Sequence, residues 1–241
     1  MSAYSCTAVP KNNKKNYSIL KSFRPIQVQQ ALSKILEKST LLLHVKSNLF
    51  STQVNQFGYK QGCSTQVPIT LLNSATDPFF VSVIDMTSAF DCISWARIVD
   101  VLATRKKLNK TWIRFFYASF SIETLIQWGF KKTTNPIKVT RGVKQGGLYS
   151  PNFFSLCLDE LAIEMETIPY GVYLEKFNFM AKLFVYADDL LCLSRSLFGL
   201  RQQVKLIVAF CKKWAICLLM LLSHVFWSLI RRRGSGIRAL F

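Results

Sequence analysis

Acidic side chains are scarce in this chain, and the scarcity is uneven. The 241 residues carry 13 Asp and Glu against 31 Lys and Arg, a formal net charge of +18. Up to Lys60 the one acid is Glu37, set among Lys11, Lys14, Lys15, Lys21, Arg24, Lys34, Lys38 and Lys46, and after Asp189 no acid occurs at all. So large a cationic excess does not serve folding; it points to a polyanionic partner. Histidine is limited to His44 and His224, and no two of the 7 cysteines form a CxxC pair, which argues against a structural zinc site. An odd cysteine count and the lack of a signal peptide suit a reducing interior, with Cys92, Cys157 and Cys192 expected as small core hydrophobes. There is no internal repeat and no flexible linker. Long apolar runs are missing too, with one exception. Trp214 to Ile230 spans 17 residues between Lys212-Lys213 and Arg231-Arg232-Arg233. That is short for a membrane span, and Ser223, His224 and Ser228 interrupt it. No stable membrane association is expected, and anchoring through 214–230 stays a lesser alternative.

What is present is a large apolar fraction, 50% of residues, enough for one large domain or two small ones. The first 20 residues read as a loose polar arm. Apolar spacing from Gln27 to Leu49 predicts a helix, as does that of Thr65 to Asn73. Phe79 to Ile84 reads as a buried strand ending at Asp85. Ser94 is an N-cap for a helix carrying Trp95, Ile98, Val99 and Leu102, and another helix follows Thr111. Thr124 to Trp128 and Ile137 to Val143 read as strands joined through Asn135-Pro136. Ser150-Pro151 opens a helix with Phe154, Leu158, Leu161 and Met165 on its apolar face. Gly171 to Phe177 reads as a strand and Leu197 to Trp214 as a helix. The mixture predicts an α+β fold.

Three places collect residues that chemistry would want. Phe184 to Leu193 holds Asp188 and Asp189 between two apolar runs, a hairpin with both carboxylates at its tip. Adjacent like charges at the edge of a core repel, and a divalent cation would relieve them. Val83 to Asp91 delivers Asp85 to the end of a buried strand. Arg141 to Pro151 is a glycine-bearing loop leading into a helix N-terminus, which favours anions. If the strands of Asp85 and Asp188 are neighbours, the two aspartates meet and could hold two metal ions. Each piece alone has a plainer reading: a solvated turn, a strand-end cap, a tight turn. Their joint occurrence in this order is far more specific.

Tyr186-Ala187-Asp188-Asp189 in an apolar hairpin resembles the third palm motif of reverse transcriptases. Val83 to Asp91 resembles the first and Gly142 to Pro151 the second. Non-LTR (LINE-type) retrotransposon polymerases are the nearest in kind. Phe23-Arg24-Pro25-Ile26, Leu32 to Glu37, Asn55 to Tyr59 and Gly62 to Thr65 are similar to their fingers motifs, so the resemblance covers about 21–214. It implies a right-hand polymerase with fingers over 1–78 and a palm over 79–214, the palm built of a small antiparallel sheet packed on helices. It implies RNA-directed DNA polymerase activity: transfer of deoxynucleotides from dNTPs onto the 3′-hydroxyl of a DNA primer, along an RNA template. Two magnesium ions, with manganese as the substitute, would be held by Asp85, Asp188 and the backbone carbonyl of Met86, and Asp189 would be a lesser carboxylate. Phe90 falls at the steric-gate position against a ribose 2′-hydroxyl, its plainer reading being a core phenylalanine. Gln145 and Gly146 would lie along the incoming nucleotide, Arg24 would contact its triphosphate, and Tyr186 would pack near the primer end. An intracellular, nuclear place of action follows from the same resemblance.

The sequence also departs from that family. Leu222 stands where a lysine near the leaving pyrophosphate is expected, so 215–241 reads as the degenerate or frameshifted end of the palm, without a thumb. The expectation that follows is a fragment of a longer polyprotein, and the alternative to an active polymerase is a catalytically impaired remnant that still binds nucleic acid.

Overall fold

The computed structural model describes residues 4–11, 22–86, 88–121, 124–128, 131–132 and 135–214. In chain order the elements are β1 (Tyr4–Pro10), β2 (Phe23–Val28), α1 (Ala31–Lys46), α2 (Gln66–Asn73), β3 (Phe80–Asp85), α3 (Ala89–Cys92), α4 (Trp95–Asp100), α5 (Lys110–Phe120), β4 (Thr124–Trp128), β5 (Lys131–Lys132), α6 (Ser150–Glu166), β6 (Val172–Leu174), β7 (Phe179–Ala181), β8 (Leu183–Tyr186), β9 (Asp189–Ser194) and α7 (Leu197–Lys213). The fold is α+β, as expected. The run 215–241, with the suspected membrane segment beyond Trp214 and with Leu222, lies outside the described residues. Among the described residues no helix is long and apolar enough to cross a membrane.

The chain separates into two compact units, each assembled from two stretches. The first comprises residues 1–50 and 90–154. Its sheet has the order β2-β1-β4-β5. Within the polar N-terminal stretch expected as a loose arm, Tyr4–Pro10 is instead a strand, and most of the rest lies outside the described residues: β1 runs antiparallel to β2 from Ser5↔Val28 to Pro10↔Phe23, and parallel to β4 from Tyr4↔Thr124. Its stability comes from backbone pairing on both sides, which side-chain periodicity does not reveal. The core of this unit is aromatic. Phe116 is wholly buried, with Tyr149 and Phe153 edge-on to it at 5.2 and 5.1 Å between ring centres. His44 packs on Trp112 at 4.6 Å, and burial holds its imidazole below the usual range. Asn109 caps α5, its side chain accepting from Trp112 N at 3.0 Å.

The strand expected over Ile137 to Val143 does not form. Ile137 makes a single bridge to Thr124. Farther along, Gly142 N and Val143 N donate to the carbonyls of Ile93 and Phe90 at 2.7 and 2.8 Å. The glycine-bearing loop bonds to the segment around α3, and that competes successfully with local β preference.

The second unit comprises 51–89 and 155–241, of which the described part ends at Trp214. Its central sheet is β3-β9-β8, antiparallel throughout. Five of the six β9 residues are buried, from Leu190 to Ser194, which explains why that strand reads as a continuous apolar run rather than an alternating one. The stretch expected as one strand over Gly171 to Phe177 instead breaks after Leu174 into a 3-10 turn, and β6 folds back on β7. Asn178, in the left-handed conformation at φ 48°, makes the reversal. The cluster Phe57, Phe79, Leu174, Phe184 and Leu193 forms the core. In α7 the fully buried Gln203 donates through Nε2 to the carbonyls of Leu193 and Tyr170 at 2.8 and 3.0 Å, fastening the helix to β9. Ser196 caps that helix by accepting from Gly199 N at 3.0 Å.

Candidate active site

Asp85 is the last residue of β3 and Asp189 the first of β9, and the two are paired in register. Register pairing in an antiparallel ladder puts both side chains on the same face of the sheet. On the other side of β9, Asp189 pairs with Tyr186 of β8, which leaves Ala187 and Asp188 as a two-residue turn. Ala187 takes φ 55°, at a position where such turns favour glycine. The turn is fastened to the end of β3 as well, because Met86 N donates to the Asp188 carbonyl at 3.1 Å. The strand of Asp85 is a neighbour of the hairpin that carries Asp188 at its turn. The residue facing Asp85 in register is Asp189, while Asp188 reaches the β3 end through its backbone.

All three carboxylates are half-buried. Burial, and next the charge of Asp188, raise the Asp85 carboxyl above its usual range. Asp189 is raised by burial, then by Asp188 and by Asp85. Asp188 thus disfavours ionisation of both Asp85 and Asp189, and a hard oxygen-seeking cation would relieve this. Among the described residues no group of three or more His, Cys, Asp or Glu is arranged to hold a metal ion.

The hairpin has a third neighbour. Val185 N donates to the Asn55 carbonyl at 2.9 Å, and Phe57 N donates to the Val185 carbonyl at 2.8 Å, so residues 55–57 lie along β8 like a short added strand. Gly58 then rests on the backbone of Ala187. Tyr59, left-handed at φ 58°, has its phenol raised by burial, then by Asp188 and Tyr186. Tyr59 thus stands near Asp188, although the sequence marks it only as part of a fingers motif. Sequence reasoning missed Asp159. It is buried in α6 and bonded to Gln53 and Gln56. The one signal for it was an acid next to Glu160 at the end of the largely apolar run Phe153 to Leu158.

The remaining expected site residues lie in the first unit. Gln145 donates through Nε2 to both carboxylate oxygens of Asp91, at 3.2 and 3.4 Å. Its carbonyl accepts from Gln27 N at 2.8 Å, which ties the glycine loop to β2. Gly146, at φ 111°, has room for no side chain, since a Cβ would lie 2.8 Å from the Gln27 carbonyl oxygen. Arg24 is an exposed residue of β2, opposite Val9. Phe90 is half-buried and stacked flat on Phe154, 4.9 Å between centres with 8° between planes. Beside Gln145, burial lowers the Lys144 ammonium to about 8, with Glu37 partly opposing the shift.

A small antiparallel sheet that joins one strand-end carboxylate to a carboxylate-tipped hairpin is the palm of a nucleic-acid polymerase. The family model for "Reverse transcriptase (RNA-dependent DNA polymerase)" matches residues 9–220, most of the chain, and the chain belongs to that family. Polymerases of this family use divalent metal ions. A curated relative, the Retrovirus-related Pol polyprotein from type-1 retrotransposable element R2 of Popillia japonica, is 28% identical over 180 residues. The match takes in 71% of this chain and 25% of that polyprotein. Among solved structures, apo telomerase from Candida tropicalis truncated from its C-terminal domain aligns with TM-score 0.64 at 14% identity, over 90% of this chain and 48% of that one. Telomerase from Candida albicans in complex with a TWJ fragment of telomeric RNA aligns with TM-score 0.57 at 12% identity, over 91% and 41%. At such identities the likeness speaks for the fold. The chain spans a quarter of the curated relative and less than half of either telomerase chain.

Proposed function

We propose that this chain is the fingers-palm core of a non-LTR retrotransposon reverse transcriptase, with fingers over 1–78 and palm over 79–214. The observation that carries this reading is the pairing of Asp85 with Asp189 beside the Asp188 turn, in a chain of this family. Asp85 and Asp188, with the Met86 carbonyl, would hold two magnesium ions, or manganese in their place. When bound, such ions lower the pKa of the attacking primer hydroxyl and neutralise charge on the leaving pyrophosphate. The protein's part is positioning and electrostatics. Asp189 adds negative potential at the sheet edge without needing to ligate. Gln145, held by Asp91, and the side-chain-free edge at Gly146 would line the incoming dNTP. Arg24 would pair with its triphosphate, Phe90 would bar a 2′-hydroxyl, and Tyr186 would support the primer end. The cationic excess would hold the RNA template and DNA primer by their phosphates, so binding weakens as salt rises. A nuclear place of action belongs to the same reading.

The test is primer extension with dTTP on poly(rA) primed by oligo(dT) in magnesium. Asp85→Asn and Asp188→Asn should each lower the rate by at least about 10²-fold, the scale of losing one preorganised electrostatic contact, with template binding retained. Template binding without extension by the unaltered chain at any concentration would overturn the activity.

A further inference from the structure

We propose that Asp159 is a positioning residue for the carboxylate hairpin, acting through a chain of direct contacts within the second unit. Asp159 is 2% exposed, as is Gln56. One carboxylate oxygen, Oδ1, accepts from Gln53 N at 2.7 Å and from Gln56 Nε2 at 3.0 Å. These two bonds fix both ends of the bend that leads into residues 55–57. That segment clasps Val185 through the Asn55 carbonyl and the Phe57 N–H, at 2.9 and 2.8 Å. Val185 stands two residues before the turn, and the next link, Gly58, meets the turn itself at Ala187. Every step from the buried acid to the Asp188 turn is thus a hydrogen bond or a backbone contact, the one intervening side chain being the buried Gln56.

A carboxylate is a costly choice for so buried a place, because removing an ion from water must be repaid by its partners. It is repaid here by charge-assisted bonds, which hold geometry more tightly than neutral ones. A loop that needed only an anchor could use an amide or a hydroxyl. A loop whose small displacement would carry the hairpin with it gains from the stronger acceptor. The arrangement resembles the outer-shell partners of metal ligands, which set where a ligand stands without touching the ion.

The inference rests on the reading that Asp85 and Asp188 hold a cation, and not on nucleotide transfer. Its test uses terbium, an oxygen-seeking ion whose luminescence is excited through nearby aromatic rings such as Tyr59 and Tyr186. The full chain and its variants are titrated with terbium, and thermal melting and circular dichroism are followed alongside. Asp159→Ala should raise the half-saturating terbium concentration about 10–100-fold, the usual effect of losing an outer-shell partner. Asp159→Asn keeps an oxygen acceptor but loses the charge, and should fall between Asp159→Ala and the unaltered chain. Gln56→Leu should act like Asp159→Ala, and the double variant should be no worse than either alone, as contacts in one network are non-additive. If Asp159→Ala fails to fold, Gln56→Leu carries the test. A variant with native circular dichroism and lowered melting temperature but unchanged terbium affinity reduces Asp159 to a loop anchor and overturns the proposal. So does an unaltered chain that binds no terbium. Terbium binding that depends on Asp159, without primer extension, would sustain this inference while sinking the polymerase reading.

Discussion

Gly58 lies against the backbone of Ala187 so closely that a Cβ on Gly58 would fall 3.0 Å from Ala187 Cα and 3.1 Å from the Tyr186 carbonyl carbon, and nearer still to Ala187 N. Both sides of that contact are main chain, so neither can rotate away. Gly58→Ala is expected to push the turn aside and to cost about 1–3 kcal/mol, the usual penalty for overpacking. Chemical denaturation reads the stability and primer extension the displacement. An unchanged midpoint with unchanged extension would mean that the two backbones part freely.

Ala187 holds φ 55° at the first position of the turn. The left-handed conformation costs a residue with a Cβ about 1–2 kcal/mol, while glycine forfeits about 0.5–1 kcal/mol in unfolded-chain freedom. Ala187→Gly should therefore stabilise the protein slightly, by about 0.5 kcal/mol. Ala187→Val should destabilise it, since β-branching suits that conformation least. The pair of urea midpoints checks the order; valine above alanine would contradict it.

Phe90 stacks flat on Phe154, and stacking would hold its ring in one orientation. If it bars ribonucleotides, Phe90→Val should raise UTP use relative to dTTP on poly(rA), measured as the ratio of kcat/KM values. The change should be on the order of 10–200-fold, the range for emptying a pocket by a small group. A variant that is merely less stable, with the ratio unmoved, would return Phe90 to the core.

Lys144 is a cation lowered to about 8 from an ordinary 10.5. Between those values the folded chain has released a proton that the unfolded chain keeps. Stability from this group is therefore depressed below about pH 8 and rises as pH is raised toward 10.5. The stability gap between the unaltered protein and Lys144→Met should move in the unaltered protein's favour across that window. A gap that stays flat in denaturation at several pH values would show that the ammonium is not desolvated.

Much of the site is legible in the residues themselves. Two acids between apolar runs make a carboxylate-tipped hairpin, because short apolar strand runs and a two-residue reversal are local properties. The strand ending at Asp85 and the helix opening at Ser150-Pro151 follow from equally short-range signals. By contrast, β1 alternates only over the short run Tyr4 to Ala8 before Val9-Pro10 breaks the pattern, and it is held as a strand by β2 and β4 on either side. The segment 137–143 has strand-like composition, yet the amides of Gly142 and Val143 are claimed by Ile93 and Phe90. Gln56 and Asp159 are 103 residues apart, and nothing in either neighbourhood announces the other.

The sequence alone therefore determined which acids stand in which order, on which kind of local element, in a chain of strongly positive net charge. The tertiary structure decided the register that sets Asp189 rather than Asp188 opposite Asp85, and the loop that braces the turn. The physical reason is range. Turn preference and burial period act over a few residues, whereas strand partnership and buried hydrogen bonds are chosen by whichever distant groups packing brings within reach.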